Sequence, residues 1–342
     1  MKISTVFQTN FPFVPSRFPI YYGWVIVVFT TLGMMSSIPG QTMGVGVYTD
    51  FLIQSSHLTR MQISMAYMTG TILSSLLLPL AGRYYDLLGA RIMIVFSGIG
   101  LGFSLLLFSE ASTLIQLLQS IFPDLSSLSS ELFVMTVIFL LLRQFGQGIM
   151  AMVSRNTLAK WFERRRGLVS GISGIFVAFS FSGAPLFMNI IIENYNYSGS
   201  MVLMALIFGF GMAFIGWLFF RDNPEDCGLL MDGKKISPMT KSNEPAEPEV
   251  TLKEALRTYN FWIFCLGLCS AAVIVTGFTF HVSSIGALAG LTRIEAYDLF
   301  LPMSLISVIS HFLAGWASDR MPLKYLLMVL LVGLAVGCFG IL

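Results

Sequence analysis

The sequence predicts an all-α polytopic membrane protein, and three observations support this fold class. Hydrophobic residues make up 55% of the 342 residues and charged residues only 11%, and the mean hydropathy is +0.78. A soluble protein of this length could not cover so much apolar surface. The apolar residues occur in runs of roughly 20, the length that an α-helix needs to cross ~30 Å of hydrocarbon. The alternating pattern of a membrane β-barrel does not occur.

Nine apolar runs define the predicted membrane spans. The residues before the first run lack the pattern of a removable signal peptide, so the chain is expected to begin with a cytoplasmic tail. Residues 110–131, after the third run, contain an amphipathic segment that is expected at the membrane interface. Glycines four residues apart, such as Gly98 and Gly102, favour close helix packing. The spans are predicted at 22–49, 62–81, 92–109, 132–154, 168–191, 201–220, 260–287, 296–316 and 324–342.

One long polar stretch divides the chain into three parts. Residues 1–220 are expected to form an N-terminal transmembrane half with helices one to six, and residues 259–342 a truncated C-terminal half with helices seven to nine. Residues 221–258, rich in proline, acidic residues and lysine, are expected to be a cytoplasmic linker. Thr251 and Glu254 have the spacing of a capping box, which predicts a short amphipathic helix at the end of this linker.

A polar pattern that occurs twice relates the two halves to each other. The copies are 233 residues apart at every paired position, with no gap. Duplicated helical halves are typical of secondary transporters, in which the substrate site lies between the halves. The pairs are Leu58, Thr59 and Arg60 with Leu291, Thr292 and Arg293, then Leu80, Ala81 and Gly82 with Leu313, Ala314 and Gly315, and Asp86 with Asp319.

Basic residues concentrate in alternate loops, among them the run Arg164, Arg165 and Arg166, whereas the opposite loops hold Arg60 and Arg293. The positive-inside rule therefore predicts a cytoplasmic N-terminus. Because the basic residues report topology, the sequence gives no support to a nucleic-acid-binding function.

Several motifs resemble those of one transporter family. The stretch GRYYDLLGAR matches the GxxxDxxGxR signature of the major facilitator superfamily, and GWASDRMPLK resembles its second-half copy. The stretch LLRQFGQG resembles the helix-four motif of the family, with RxxGxG in place of RxxxGxG spacing. The stretches YYGWVIVV, AKWFERRRGLVSGISG, RDNPEDCGLLMDG and TLKEALRTYNFW resemble the oxalate/formate antiporter and monocarboxylate porter branch.

The resemblance implies two pseudo-symmetric six-helix halves that move a small organic anion, a mono- or dicarboxylate, by alternating access. Transport would be coupled to a proton or to an exchanged anion. The protein would be a monomeric multi-pass protein of the cell membrane, and the short loops favour a bacterial inner membrane. The family has twelve spans, whereas this chain ends at Leu342 inside the ninth. The second half is therefore expected to lack helices ten to twelve.

The resemblance also assigns a conformational role to the repeated turns. In the family the aspartate of the first turn helps to latch the outward-facing state, whereas the alternative is that these turns are only tight loops. Gly82 and Gly89 are expected to permit the tight reversal, and Arg83 to lie near a helix C-terminus. The motif residues are Gly82, Arg83, Asp86, Gly89, Arg91, Gly315, Asp319 and Arg320.

Arg143 lies near the middle of the fourth predicted span, about 18 Å from either end. A charge inside the membrane is costly and usually faces a cavity or a partner. Arg143 is therefore expected either to bind a substrate carboxylate or to be a structural and coupling residue. His311 lies where monocarboxylate porters often carry an arginine, four residues before Gly315. This difference suggests either a different substrate or a titratable contact with the substrate, and the alternative is a residue that packs in the helix.

Three more polar residues are candidates for the substrate site. Gln41 and Tyr48 lie in the first span, which three glycines loosen, and broken helices often border transport cavities. His281 is the corresponding candidate in the seventh span. The alternative for each of them is an ordinary interhelical hydrogen bond.

Other classes of function find little support in the sequence. It contains no HExxH zinc motif, nucleophile elbow or intramembrane acid pair, so an enzyme is not expected. The four cysteines have neither metal nor disulfide spacing, and no cofactor is expected. The competing hypotheses are a porter for another metabolite or drug and a transporter-like receptor that does not transport.

Overall fold

The computed structural model describes residue 7 and residues 9–55, 58–124, 126–233, 252–318 and 320–341. All regular structure within these ranges is helical, which confirms the all-α class. The α-helices are α1 (Gly23–Ser36), α2 (Thr42–Ser55), α3 (Arg60–Leu88), α4 (Ala90–Ser109), α5 (Ala111–Ile121), α6 (Ser127–Leu142), α7 (Ala151–Trp161), α8 (Arg166–Met204), α9 (Met212–Phe219), α10 (Leu252–Ala255), α11 (Tyr259–Leu288), α12 (Arg293–Asp298), α13 (Phe300–Ser318) and α14 (Leu323–Ile341). Short 3₁₀ turns occur at Pro15–Arg17, Ile38–Gly40, Glu225–Cys227 and Met231–Gly233, and π-helical segments at Arg143–Met150 and Ala205–Gly211.

Eight stretches of helix in the described chain are long and apolar enough to cross a membrane. The fifth stretch, Arg166–Phe219, is 54 residues long and is broken at Asn196, which has φ 55° and ψ 179°. Both ends of this stretch lie at the same end of the bundle, because the indole of Trp161, before it, donates to the carbonyl of Arg221, after it. The stretch therefore crosses the bundle twice, and each of the nine predicted spans has a helix.

The largest hydrophobic core joins the helices of the N-terminal half. Glycines let α4 approach the sixth span closely, as the spacing of four predicted. A Cβ on Gly98 would lie 2.7 Å from the backbone nitrogen of Ala213, and Gly102 contacts Gly209 backbone to backbone. The expected amphipathic segment after the third span is α5, whose residues Leu114, Ile115 and Leu118 pack on this core.

The first repeated tripeptide lies at a helix N-terminus in each half. The hydroxyl of Thr59 accepts a hydrogen bond from the backbone nitrogen of Gln62, and the Gln62 side chain bonds back to Thr59. Thr292 and Glu295 form the same reciprocal capping box at the start of α12. A capping box satisfies backbone donors that have no partner inside the helix, so it favours the start of a helix at each copy of the repeat.

The first turn is shorter than expected. The sequence placed the end of the second span near residue 81 and Gly82 in the reversal, but α3 continues to Leu88. Gly82 is therefore helical, and this expectation is wrong. Gly89 alone, with φ 83°, separates α3 from α4. Of the two glycines of this motif, only Gly89 has a positive φ, which L side chains rarely adopt.

The end of the bundle that carries the Arg164–Arg166 run is called the basic end. Part of the expected linker packs against it. The carboxylate of Asp222 accepts from the backbone nitrogen of Arg91, 3.0 Å away, and lies against Gly89. The carboxylate of Asp232 accepts from the backbone nitrogens of Glu163, Arg164 and Arg165, just before α8 begins. Residues 222–233 thus connect the turns after the second and fourth spans.

The remainder of the expected linker is described only in part. Residues 234–251, including the proposed capping residue Thr251, lie outside the described residues. A four-residue helix, α10 (Leu252–Ala255), lies where a short helix was expected before the seventh span.

Candidate transport cavity

The first and fourth spans are both irregular at the point where they touch. A 3₁₀ turn, Ile38–Gly40, separates α1 from α2, and the π-helical segment Arg143–Met150 lies within the fourth span. A Cβ on Gly40 would lie 2.9 Å from the Cα of Gly146 and would overlap the carbonyl oxygen of Leu142. Glycine therefore permits backbone contact here, and π-helical segments occur frequently at functional sites.

Arg143 lies at this contact and is buried. Its Nη1 is 3.4 Å from the carbonyl oxygen of Gly40, and its guanidinium carbon is 5.3 Å from the centre of the Tyr67 ring. The hydroxyl of Tyr67 is 3.0 Å from that of Thr42, at the start of α2. Arg143 thus joins the break in the first span to the second span, through one long hydrogen bond and one cation–π contact.

Gln41 lies at the same break but bonds locally. Its side-chain nitrogen donates to the hydroxyl of Ser37, 3.0 Å away. The side-chain oxygen of Gln147, one helical turn after Arg143, is buried without a hydrogen-bond partner in the described chain. A buried polar atom without a partner is unusual in a native protein.

A polar cavity of about 630 Å³ lies between the halves. Helices of the N-terminal half line it together with α11 and α13 of the second half. Its charged or titratable lining residues are Arg155 and His311, and of the described side chains that line it none is acidic. Serine hydroxyls supply the remaining polar lining, from Ser170, Ser173, Ser182 and Ser307. The lining can therefore attract and hydrogen-bond an anion.

Arg155 is a candidate that sequence reasoning missed. It lies in α7, its side chain is exposed, and within the described chain it has neither an ion-pair nor a hydrogen-bond partner. The predicted fourth span ended at residue 154, one residue before Arg155. The helix continues to Trp161, so Arg155 lies on a membrane-spanning element. A second arginine twelve residues after Arg143 was the signal that could have found it.

His311 lies where three cavities meet. It lines the 630 Å³ cavity, a second cavity of about 550 Å³ at the basic end, and a narrow crevice of about 200 Å³ between α8 and α13. The second cavity is also lined by Glu163, Arg164 and Arg166 and is called the vestibule. The His311 Nδ1 is 2.7 Å from the carbonyl oxygen of Ser307, and its ring lies against Gly174 of α8. Ser170 and His311 line both the cavity and the vestibule, and so connect them.

The other end of the cavity is closed by a hydrophobic cluster. Val282, Tyr297 and Phe300 of the second half are buried there, packed with Phe278 and with Met43 and Leu186 of the N-terminal half. Met43 and Phe300 also line the cavity. The cavity therefore faces the basic end and is closed towards the opposite end.

The structure does not bring the five predicted substrate residues together. Tyr48 is fully buried in the core of the N-terminal half, where its hydroxyl is 2.8 Å from the sulfur of Met204 and its ring packs edge-on against Phe108. His281 is exposed, with its ring 5.2 Å from that of Phe280. Neither residue lines the 630 Å³ cavity, whereas His311 does.

The motif residues divide into exposed and buried groups. Arg83 and Asp86 are exposed in the last two turns of α3, and Asp86 has neither a hydrogen-bond nor an ion-pair partner within the described chain. Arg91 is 2% exposed, and its guanidinium donates to the carbonyls of Trp217 and Phe11, both 2.7 Å away. Arg91 therefore fixes the N-terminal segment and the end of the sixth span onto α4.

The second copy of the motif contacts the other half. A Cβ on Gly315 would lie 3.7 Å from the carbonyl oxygen of Gly167, at the start of α8. The guanidinium of Arg320 lies 4.5 Å from the centre of the Trp316 ring. Asp319 lies outside the described residues.

Burial shifts the titration of groups at the basic end. It raises the pKa of the Asp222 carboxyl, although hydrogen bonds from the backbone of Arg91 and Ala90 lower it. Burial also raises the pKa of the Tyr21 hydroxyl to about 12, and this hydroxyl donates to the carbonyl of Trp161. These groups are structural in the described conformation, because none of them lines the cavity.

Comparison with known proteins supports the architecture. The profile of one protein family, described as the Major Facilitator Superfamily, matches residues 24–342. Comparison with curated proteins gives no match.

Proposed function

The chain belongs to the major facilitator superfamily, whose members are secondary transporters and not enzymes, and from this premise we propose that it transports a small organic anion. The proposed substrate is a mono- or dicarboxylate, and the proposed mechanism is alternating access to the 630 Å³ cavity. The transport class follows from the family. The anionic substrate, and the carboxylate in particular, are proposed from the lining of the cavity.

The unpaired Arg155 in the cavity carries this proposal. An arginine within a membrane is expensive unless water or a counter-charge reaches it. The other polar groups of the lining are His311 and serine hydroxyls, and its described side chains include no acid. A carboxylate matches the planar fork of a guanidinium, which can donate two parallel hydrogen bonds to it.

The charges that line the vestibule also favour an anionic substrate. Arg164 and Arg166 face it, with Glu163 as the one acidic residue among its described lining residues. A cleft lined by charge of one sign raises the local concentration of ions of the opposite sign. An anion would therefore pass from the vestibule to Arg155 by way of His311 and Ser170.

In this proposal Arg155 and His311 contact the substrate, while Arg143 positions the first and fourth spans. Arg143 stays a candidate for direct contact in another conformation, as do Gln41, Tyr48 and His281. We also propose that the basic end is cytoplasmic, which puts the N-terminus inside, and that the protein is a monomer in a bacterial inner membrane. The coupling partner is proposed to be a proton or an exchanged anion.

The first test is thermal stabilisation of the purified protein in detergent by a panel of mono- and dicarboxylates, sugars and amino acids. A ligand present at 100 times its Kd stabilises the folded state by about 2.7 kcal/mol. We expect a rise in Tm with at least one carboxylate, which Arg155→Gln abolishes and Arg155→Lys reduces. The matched control is Arg257→Gln, an exposed arginine of the basic end that lines none of the three cavities at His311.

Uptake of the stabilising compound into proteoliposomes then separates the hypotheses. Uptake that Arg155→Gln abolishes supports carboxylate transport. A Tm shift with sugars or amino acids alone would replace the carboxylate with another metabolite. Stabilisation without uptake or exchange would favour a receptor that does not transport.

A further inference from the structure

Phe280 of the second half is buried in the core of the first half. It lies in α11, is 6% exposed, and belongs to the same hydrophobic core as the helices of the N-terminal half. Its ring is stacked on that of Tyr67 in α3, with centroids 5.1 Å apart and an interplanar angle of 17°. This contact crosses the interface at which the two halves must separate during alternating access.

Tyr67 is also held by three residues of the first half. The Arg143 guanidinium carbon lies 5.3 Å from the ring centre, Phe139 packs edge-on at 5.6 Å, and the hydroxyl is 3.0 Å from that of Thr42. Tyr67 is only 6% exposed. Its position is therefore fixed by the same break in the first span that holds Arg143.

From this geometry we infer that Tyr67 and Phe280 form a latch that keeps the cavity closed at the end opposite the basic end, and that Arg143 sets the strength of this latch. The hydrophobic cluster around Val282 lies on the same helix and closes the same end. Opening there moves α11 away from the first half, so Phe280 must leave the Tyr67 ring. A cation near one aromatic ring changes the electrostatics of the stack in which that ring takes part.

The latch is a property of the conformational cycle, and it does not depend on which substrate is carried. It can therefore be measured without ligand, so that its failure and the failure of the anion proposal are separate results. The assay uses a background in which the four native cysteines are replaced. Met43→Cys reports access from the end opposite the basic end, and Ser170→Cys reports access from the basic end, each by its rate of reaction with a membrane-impermeant maleimide.

We expect Tyr67→Leu and Phe280→Leu each to increase the reaction of Met43→Cys from the end opposite the basic end. Loss of an aromatic pair is expected to shift the equilibrium between the conformations closed and open at this end roughly two- to tenfold. The reaction of Ser170→Cys from the basic end should fall at the same time. The matched control is Tyr67→Phe, which keeps the ring and loses only the hydroxyl contact with Thr42, and should change the rates little.

Two combinations test the coupling. The Met43→Cys reaction rate in the double leucine variant should be no higher than in either single leucine variant, because both substitutions remove the same contact. Arg143→Gln should change the Met43→Cys rate when Tyr67 is present and leave it unchanged in Tyr67→Leu. Additive effects, or unchanged rates in both leucine variants, would overturn the inference. If a leucine variant does not purify as a monodisperse protein, Phe280→Met replaces it, since it removes the ring at similar volume.

Discussion

At the scale of the residue, the arginines differ in their burial and in their hydrogen-bond partners, which the sequence alone does not show. Arg91 and Arg221 are nearly fully buried and donate to backbone carbonyls, so their charges are satisfied within the protein. Arg143 is buried with one long hydrogen bond and an aromatic ring. Arg155 has neither within the described chain and is open to the cavity. Because Arg155 is accessible from the cavity and its guanidinium donors have no partner in the described chain, it is the arginine of these four that is best placed to bind a ligand.

The two glycines of the first motif are expected to respond differently to the same substitution. Gly89→Ala should destabilise the protein by about 1–2 kcal/mol, because an L residue is strained at φ 83°. Its new methyl group would also overlap the Asp222 carboxylate. Gly82→Ala should leave Tm unchanged or slightly higher, since Gly82 is helical and its nearest neighbour, the sulfur of Met152, would be 4.0 Å away. The measurement is Tm of the ligand-free protein in detergent. Equal losses for the two variants would show that the turn differs from the described one.

At the scale of the element, the irregular segments are the parts of the spans nearest to candidate groups. The glycines of the first span predicted a loosened helix, and the 3₁₀ turn Ile38–Gly40 interrupts it. The π-helical segment Arg143–Met150 in the fourth span was not predicted. This segment packs against the first span at Gly40, and a contact between distant segments leaves no local pattern in the sequence.

The capping boxes allow the structural repeat to be tested in both halves at once. Thr59→Ala and Thr292→Ala should each cost about 1 kcal/mol, because each removes the acceptor for an N-terminal backbone donor. The substitutions to serine, which keep the hydroxyl, serve as matched controls and should change Tm by much less. The readout is Tm in detergent. A loss for Thr59→Ala with none for Thr292→Ala would mean that the repeat is not equivalent in the two halves.

At the scale of the whole molecule, the two ends of the bundle are held by different forces. The end opposite the basic end is closed by hydrophobic contacts between the halves, around Val282 and Phe280. At the basic end, hydrogen bonds from backbone nitrogens to Asp222 and Asp232 stabilise the first half alone. The halves can therefore rearrange at the interface while the basic end of the first half stays rigid.

The segment that follows the sixth span should protect the basic loop from proteolysis. Asp232→Asn should increase tryptic cleavage within Arg164–Arg166, because an amide keeps only one acceptor oxygen for three backbone donors. A lost N-terminal cap of about 1 kcal/mol corresponds to roughly fivefold more opening of the loop. Asp226→Asn is the control, because the Asp226 carboxylate accepts a hydrogen bond from the Asn223 side chain and, within the described chain, none from the Arg164–Arg166 loop. Equal cleavage of both variants and wild type would show that Asp232 does not hold the loop.

The sequence by itself determined the fold class and the family, and it located the spans and the internal repeat. Hydropathy over twenty residues, a constant interval of 233 and the capping pairs are properties of the local chain, so they can be read without coordinates. The sequence also singled out His311, which does line the cavity. Its substrate role, like that of the other candidates, stays a prediction.

Only the tertiary structure decided which of the polar residues meet. It placed Tyr48 in a core, Gly82 inside a helix and Arg155 in the cavity, and it stacked Tyr67 on Phe280 across 213 residues of chain. Each of these outcomes depends on which face of a helix turns towards another helix and on where the helix ends. Those are set by packing between distant segments, to which hydropathy and motif spacing are insensitive.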